Sequence, residues 1–208
     1  MKYILILMLL RIVSSFRLSL IRHANTFNNN NNIYTGHTDI PILDINQKIN
    51  FNNKYDLILS SPMLRCKQTL DILNLKNSNI IYDNRFIECG YGDLTNKNKN
   101  QYIFKREFYN KPNDSELFIG ESRMDGGLRS FNALNYHLKH SAQYNDNILI
   151  MSHKNTLKGL WVFLKLQEEF KDKNVEELYN YANLKTNLDF IINNNYIPNF
   201  NNLEIYNF

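Results

Sequence analysis

With 208 residues, 43% of them hydrophobic and 13% aromatic, the chain is too apolar to be disordered and long enough to bury one full domain core. Its net charge of +4 comes from basic residues spread along the sequence, without the cluster that a nucleic-acid face requires. Cys66 and Cys89 make no C-x-x-C pair and no zinc-ligand set, so neither a disulfide framework nor a metal site is expected, and Cys66 reads as a small buried apolar side chain.

Residues 1–15, MKYILILMLLRIVSS, combine a Lys, an apolar stretch from Tyr3 to Leu10 and small polar residues at Ser14 and Ser15. That is the pattern of a secretory signal with a short apolar region, and it is too short to span a bilayer, so no stable membrane insertion is expected. Arg11, directly after the apolar run, speaks instead for an amino-terminal extension packed on the fold. Both readings stay open, with the signal slightly ahead. The compartment follows from them: cytoplasmic for an extension, secretory or organellar for a signal.

Residues 16–208 read as a single domain. FRLSLI (16–21) is a strand that ends in Arg22-His23 and then dissolves into a polar loop. Asparagine tracts at 28–32, 50–53, 193–195 and 199–202 are low complexity and mark loops. YDLILSS (55–61) is a second strand, followed by a helix to about Leu73 with Ser61 as N-cap and Pro62 in the first helical position. NIIYDNRF (79–86) is a short strand, residues 121–140 have helical spacing, and NILIMS (147–152) is a buried strand. Helical patterns at 155–166 and, more weakly, 174–182 lead to a last strand, LDFII (188–192). Strands that alternate with helices predict an α/β fold, a mostly parallel sheet covered by helices on both faces.

In such a sheet the carboxyl ends of the strands lie together and form the site. Here those ends read LIRHAN, LILSSPMLR and LIMSHKNTLKG, so Arg22, His23, Arg65 and His153 should converge on one pocket. Arg65 lies one turn into its helix, and helical side chains lean back toward the amino terminus. Two arginines, two histidines and helix amino termini suit a phosphoryl group, because Arg presents a planar fork and helix ends present unpaired N–H donors. His37, His137 and His140 have no such context and read as structural or solvent-exposed.

Six segments in this order resemble the histidine phosphatase superfamily and, within it, the cofactor-dependent phosphoglycerate mutases: LIRHAN, YTGHTDIPI (34–42), SSPMLRCKQT (60–69), ECGYG (88–92), GES (120–122) and SHKNTLKG (152–159). The resemblance runs from about Phe16 to the carboxyl end. It implies a three-layer fold and a His23 that carries the phosphoryl group. Arg22, Arg65 and His153 would stabilise the charge, and Glu88 would act as general acid and then base. Substrate contacts would come from the Asn29 amide, the Thr35 and Gly36 backbone, Tyr91 and Asn155, with Lys99, Lys105 and Arg106 on a carboxylate. Lys154 stands where the family has Gly. It is expected to line the phosphate site through its backbone with its side chain turned outward. The resemblance further implies a small phosphorylated carboxylic acid as substrate, 2,3-bisphosphoglycerate as priming donor, no metal, and a homodimer or larger assembly. A phosphatase of small phosphomonoesters and a catalytically weak binding member of the family are the alternatives.

Overall fold

Side-chain alternation along the strands settles where the sheet sits. The computed structural model describes residues 16–44, 46, 49, 51–76, 78–101, 120–140, 147–183 and 197–208. β1 (Arg17–Arg22), β2 (Leu57–Ser60), β3 (Ile80–Tyr82) and β4 (Asn147–Ser152) pair in parallel, and β5 (Ile205–Asn207) runs antiparallel beside β1, in the order β3-β2-β4-β1-β5. Leu18, Leu20, Leu57, Leu59, Ile148 and Ile150 point to one face, where they meet α3 (Arg123–His140), α4 (Lys154–Glu169) and α5 (Val175–Asn183). Ile21, Ile58, Leu149 and Met151 point to the other, against α2 (Leu64–Ile72). This is the expected α/β architecture, with both faces of a mostly parallel sheet covered.

Register brings the strand ends level, with Arg22 beside Ser152 and Ser60 beside Met151. His23, Ser61 and His153 therefore emerge at one edge. A short helix, α1 (Phe27–Asn30), follows β1 and is closed by a Thr26–Asn29 capping box.

Three expectations need correction. α2 starts at Leu64 rather than Pro62, with Met63 at the N-cap in an extended conformation. The Ser61 hydroxyl accepts the Met63 N–H at 3.3 Å, and Asp39 takes the Leu64 N–H at 2.7 Å. The strand at 79–86 shrinks to Ile80–Tyr82, because Asp83 accepts the Arg85 N–H and starts a 3₁₀ turn at Asn84–Phe86. β5 at Ile205–Asn207 lies beyond LDFII, which the sequence pattern gives as the last strand. The strand expected at 188–192 and the leader at 1–15 fall outside the described residues.

α3 and α4 touch backbone to backbone. A Cβ on Gly127 would strike the backbone of Gly159, and one on Gly159 would strike the carbonyl of Arg123 and the backbone of Gly127. Only glycine permits this approach, and it seats the start of α3 over the early turns of α4. Among the described residues, no helix is long and apolar enough to cross a membrane.

Candidate active site

His23 follows β1 directly, and its N–H extends the ladder one step by donating to the Ser152 carbonyl at 3.1 Å. Its side chain is only 4% exposed, and Nδ1 lies 2.7 Å from the Ala24 carbonyl. A carbonyl can only accept, so Nδ1 carries the proton and Nε2 keeps its lone pair. Burial, then the charges of Arg65 and Arg22, hold the imidazole pKa well below 6.5. His23 is therefore neutral at pH 7, in the tautomer a nucleophile needs.

Arg65 is 1% exposed, and its guanidinium is locked by three acceptors. Nε donates to His153 Nδ1 at 3.2 Å, Nη1 to the Thr38 carbonyl at 2.9 Å and Nη2 to the Gly36 carbonyl at 3.0 Å. Gly36 takes φ +50°, where a side chain would press on the Tyr91 ring. Within the turn predicted to touch phosphate at Thr35 and Gly36, the Gly36 carbonyl thus fixes Arg65, while the Thr35 carbonyl accepts the Thr38 N–H at 3.0 Å. His153 must accept at Nδ1, so its Nε2 carries the proton and donates to Ser61 Oγ at 2.8 Å. The His153 ring lies 5.2 Å from the His23 ring, centroid to centroid. With both nitrogens engaged, it orients Arg65 rather than presenting a free N–H to the pocket. Cys66 packs behind it, 3.6 Å from Nε2, and burial pushes its thiol up to about 12. It is the buried apolar filler that its sequence context suggested.

Glu88 is 8% exposed. Its Oε1 accepts from the Cys89 N–H at 3.0 Å and from the N–H and hydroxyl of Thr156, in the first turn of α4, at 3.3 and 3.4 Å. Its Oε2 has no hydrogen-bond partner among the described residues. A carboxylate held by one oxygen at a helix amino terminus, with the other turned loose, can take up and release a proton. Beside it the Tyr91 ring lies 4.8 Å from the Tyr34 ring, tilted by 50°, and the Asn155 amide donates to the Tyr91 hydroxyl.

Sequence reasoning missed the residues that hold the Glu88 loop. Arg129 donates to the carbonyls of Arg85, Ile87 and Glu88 and forms an ion pair with Glu121 at 2.7 Å. His37 places Nε2 2.9 Å from the Glu88 carbonyl. Glu121 belongs to the GES segment, which was the one available hint of this clamp. His137 is structural, 2.9 Å from Asp83, and His140 is exposed.

The remaining predicted residues divide by position. Arg22 lies on the α4 side of the sheet, and among the described residues its buried Nε has no hydrogen-bond partner. Burial lowers its pKa, while nearby Glu88 opposes the shift. Asn29 spends Oδ1 on the Thr26 N–H at 3.2 Å. Lys99 sits 5.5 Å above the Tyr34 ring, and burial together with the charge of Arg22 lowers its pKa. Lys154 corrects an expectation. It is half-buried rather than out in solvent, and burial followed by the charges of Arg22, Lys99 and Arg123 lowers its pKa. Lys105 and Arg106 fall outside the described residues. Among those residues no group of three or more His, Cys, Asp or Glu is placed to hold a metal.

The arrangement can pass a phosphoryl group through His23. Known proteins resemble the chain in sequence and fold. The family model of the histidine phosphatase superfamily, branch 1, covers residues 18–176. A 2,3-bisphosphoglycerate-dependent phosphoglycerate mutase of Mesorhizobium japonicum is 25% identical over 166 residues, 69% of this chain and 78% of that protein. Sedoheptulose 1,7-bisphosphatase of Saccharomyces cerevisiae is 25% identical over 200 residues, 79% of this chain and 73% of that protein. The solved structure of a mycobacterial glucosyl-3-phosphoglycerate phosphatase has the same fold, with a TM-score of 0.59 and 17% identity over 80% of this chain and 84% of that one. The family model spans most of the chain, and the chain belongs to the histidine phosphatase superfamily.

Proposed function

We propose that the protein interconverts 3-phosphoglycerate and 2-phosphoglycerate through a phosphohistidine on His23. The observation that carries this reading is the neutral His23 ring, with its Nε2 lone pair set by the Ala24 carbonyl and the charges of buried Arg65 and half-buried Arg22 acting on it. Nε2 attacks phosphorus as the bond to the departing oxygen breaks, and Glu88 Oε2 delivers the proton that oxygen needs. Arg22 and Arg65 offset the charge that spreads over the equatorial oxygens. In the return step the acceptor hydroxyl gives its proton to Glu88 and takes the phosphoryl group from His23. 2,3-Bisphosphoglycerate would supply the phosphoryl group that primes His23, and the cations Arg22, Lys99 and Lys154 fit so highly charged a donor. Lys99 would meet the substrate carboxylate, with Lys105 and Arg106 from the segment outside the described residues.

Hydrolysis of small phosphomonoesters is the second reading, favoured by likeness to a bisphosphatase and to a phosphatase structure. Product analysis separates the two. With 3-phosphoglycerate and catalytic 2,3-bisphosphoglycerate, 2-phosphoglycerate should form about tenfold or more faster than inorganic phosphate is released. Phosphate release without 2-phosphoglycerate would assign the protein to hydrolysis.

A further inference from the structure

The peptide unit between Glu88 and Cys89 carries contacts at both of its ends. Its N–H, on Cys89, donates to Glu88 Oε1 at 3.0 Å. Its oxygen, the Glu88 carbonyl, accepts from Arg129 Nη2 at 3.2 Å and lies 2.9 Å from His37 Nε2. A carbonyl only accepts, so His37 Nε2 carries the proton in that contact. The Glu88 carboxylate is thus tied to its own backbone, and two side chains from other parts of the fold grip the opposite end of that peptide.

Arg129 is fixed before it reaches this carbonyl. Glu121 takes its Nε at 2.7 Å and its Nη2 at 2.8 Å, while the Arg85 and Ile87 carbonyls accept from Nη1 and Nη2 at 2.6 and 2.8 Å. Burial works against the guanidinium charge, but the hydrogen bond and charge of Glu121 raise its pKa overall, so the cation persists. α3 comes this close because Gly126 faces Cys89, where a Cβ would strike the Cys89 Sγ. The Glu121 N–H donates to the Gly90 carbonyl at 3.0 Å. The loop is therefore held on both flanks of the Glu88–Cys89 peptide.

A cation on a carbonyl oxygen polarises the peptide and strengthens donation by the N–H at its other end. Here that N–H, backed by the Thr156 N–H at 3.3 Å, makes Glu88 Oε1 an acceptor and leaves the proton to Oε2. Arg129 and His37 line a cavity of about 530 Å³ together with Gly90, Gly120 and Glu121, and His23, Arg65 and His153 are not among its walls. We infer that Arg129 and His37 are positioning residues for proton transfer: through the Glu88–Cys89 peptide they lock Oε1 and so set Oε2 as the oxygen that carries the proton. The inference rests on the reading of Glu88 as general acid.

The test compares kcat/KM for glycerol 3-phosphate and for p-nitrophenyl phosphate, whose leaving oxygen needs little protonation. Arg129→Gln should lower the first about tenfold or more and the second by less than about threefold. Made in Glu88→Gln, the same change should lower either value by less than about twofold, because no carboxylic acid is left to position. A purely structural role would lower both esters alike in both backgrounds, and that result overturns the inference. Urea unfolding checks each variant. Should Arg129→Gln fail to fold, His37→Ala takes its place, since His37 is exposed. It should lose about threefold or more with glycerol 3-phosphate alone, and an equal effect on the two esters overturns the inference. Failure of Glu88 as the acid shows separately: Glu88→Gln by itself would then lack the preference for the alkyl ester, and this inference would fall with it.

Discussion

Replacing Arg65 by glutamine should lower kcat about a thousandfold or more and destabilise the fold by about 3 kcal/mol. The guanidinium is buried and bridges three fixed acceptors: the Gly36 and Thr38 carbonyls and His153 Nδ1. Glutamine reaches at most one of them, and the others are left buried and unpaired. The same change removes a positive charge that, after burial, is the largest influence holding the His23 pKa well below 6.5. His23 attacks only when neutral, so the acid limb of the parent enzyme should lie well below pH 6.5. In the variant the His23 pKa rises, and residual activity should fail at a higher pH on the acid side. Urea unfolding and a pH–rate profile read the two effects. A loss below about tenfold, with the acid limb unmoved, would remove Arg65 from the account.

Glu88→Gln should preserve the fold and cost about 10² to 10⁴ in kcat. An amide oxygen can keep the bonds that Oε1 accepts from the Cys89 and Thr156 N–H groups. It cannot supply or recover a proton. The loss should therefore shrink by about tenfold or more with p-nitrophenyl phosphate, whose leaving oxygen needs little protonation. Equal losses for an alkyl and a nitrophenyl ester would mean that Glu88 acts through its charge beside Arg22 and Lys99 and not as an acid.

The central strands were legible because their apolar runs and the arginine and histidine at their ends are local features of the sequence. Convergence of Arg22, His23, Arg65 and His153 then followed from parallel order alone. What escaped depends on contacts far apart in the chain. Ser61 looked like a helix cap, and its hydroxyl does take the Met63 N–H, but it is also the partner of His153 Nε2, and the helix starts later. Arg129 reads as a solvated helix residue until α3 packs beneath the Glu88 loop. The outward-pointing Lys154 was inferred from its own turn, whereas Arg123 arrives near it through the Gly127–Gly159 crossing. β5 is three residues long and belongs to the sheet only because it borders β1. Such pairings have no local signal.

The most direct measurement is of the covalent intermediate. Incubation with 2,3-bisphosphoglycerate, rapid quenching and peptide mapping should find an acid-labile, base-stable phosphate on His23. The label should vanish, along with turnover, in His23→Ala. A His23→Ala protein that still turns over at the parent rate, or a phosphate mapped to another residue, would contradict the account.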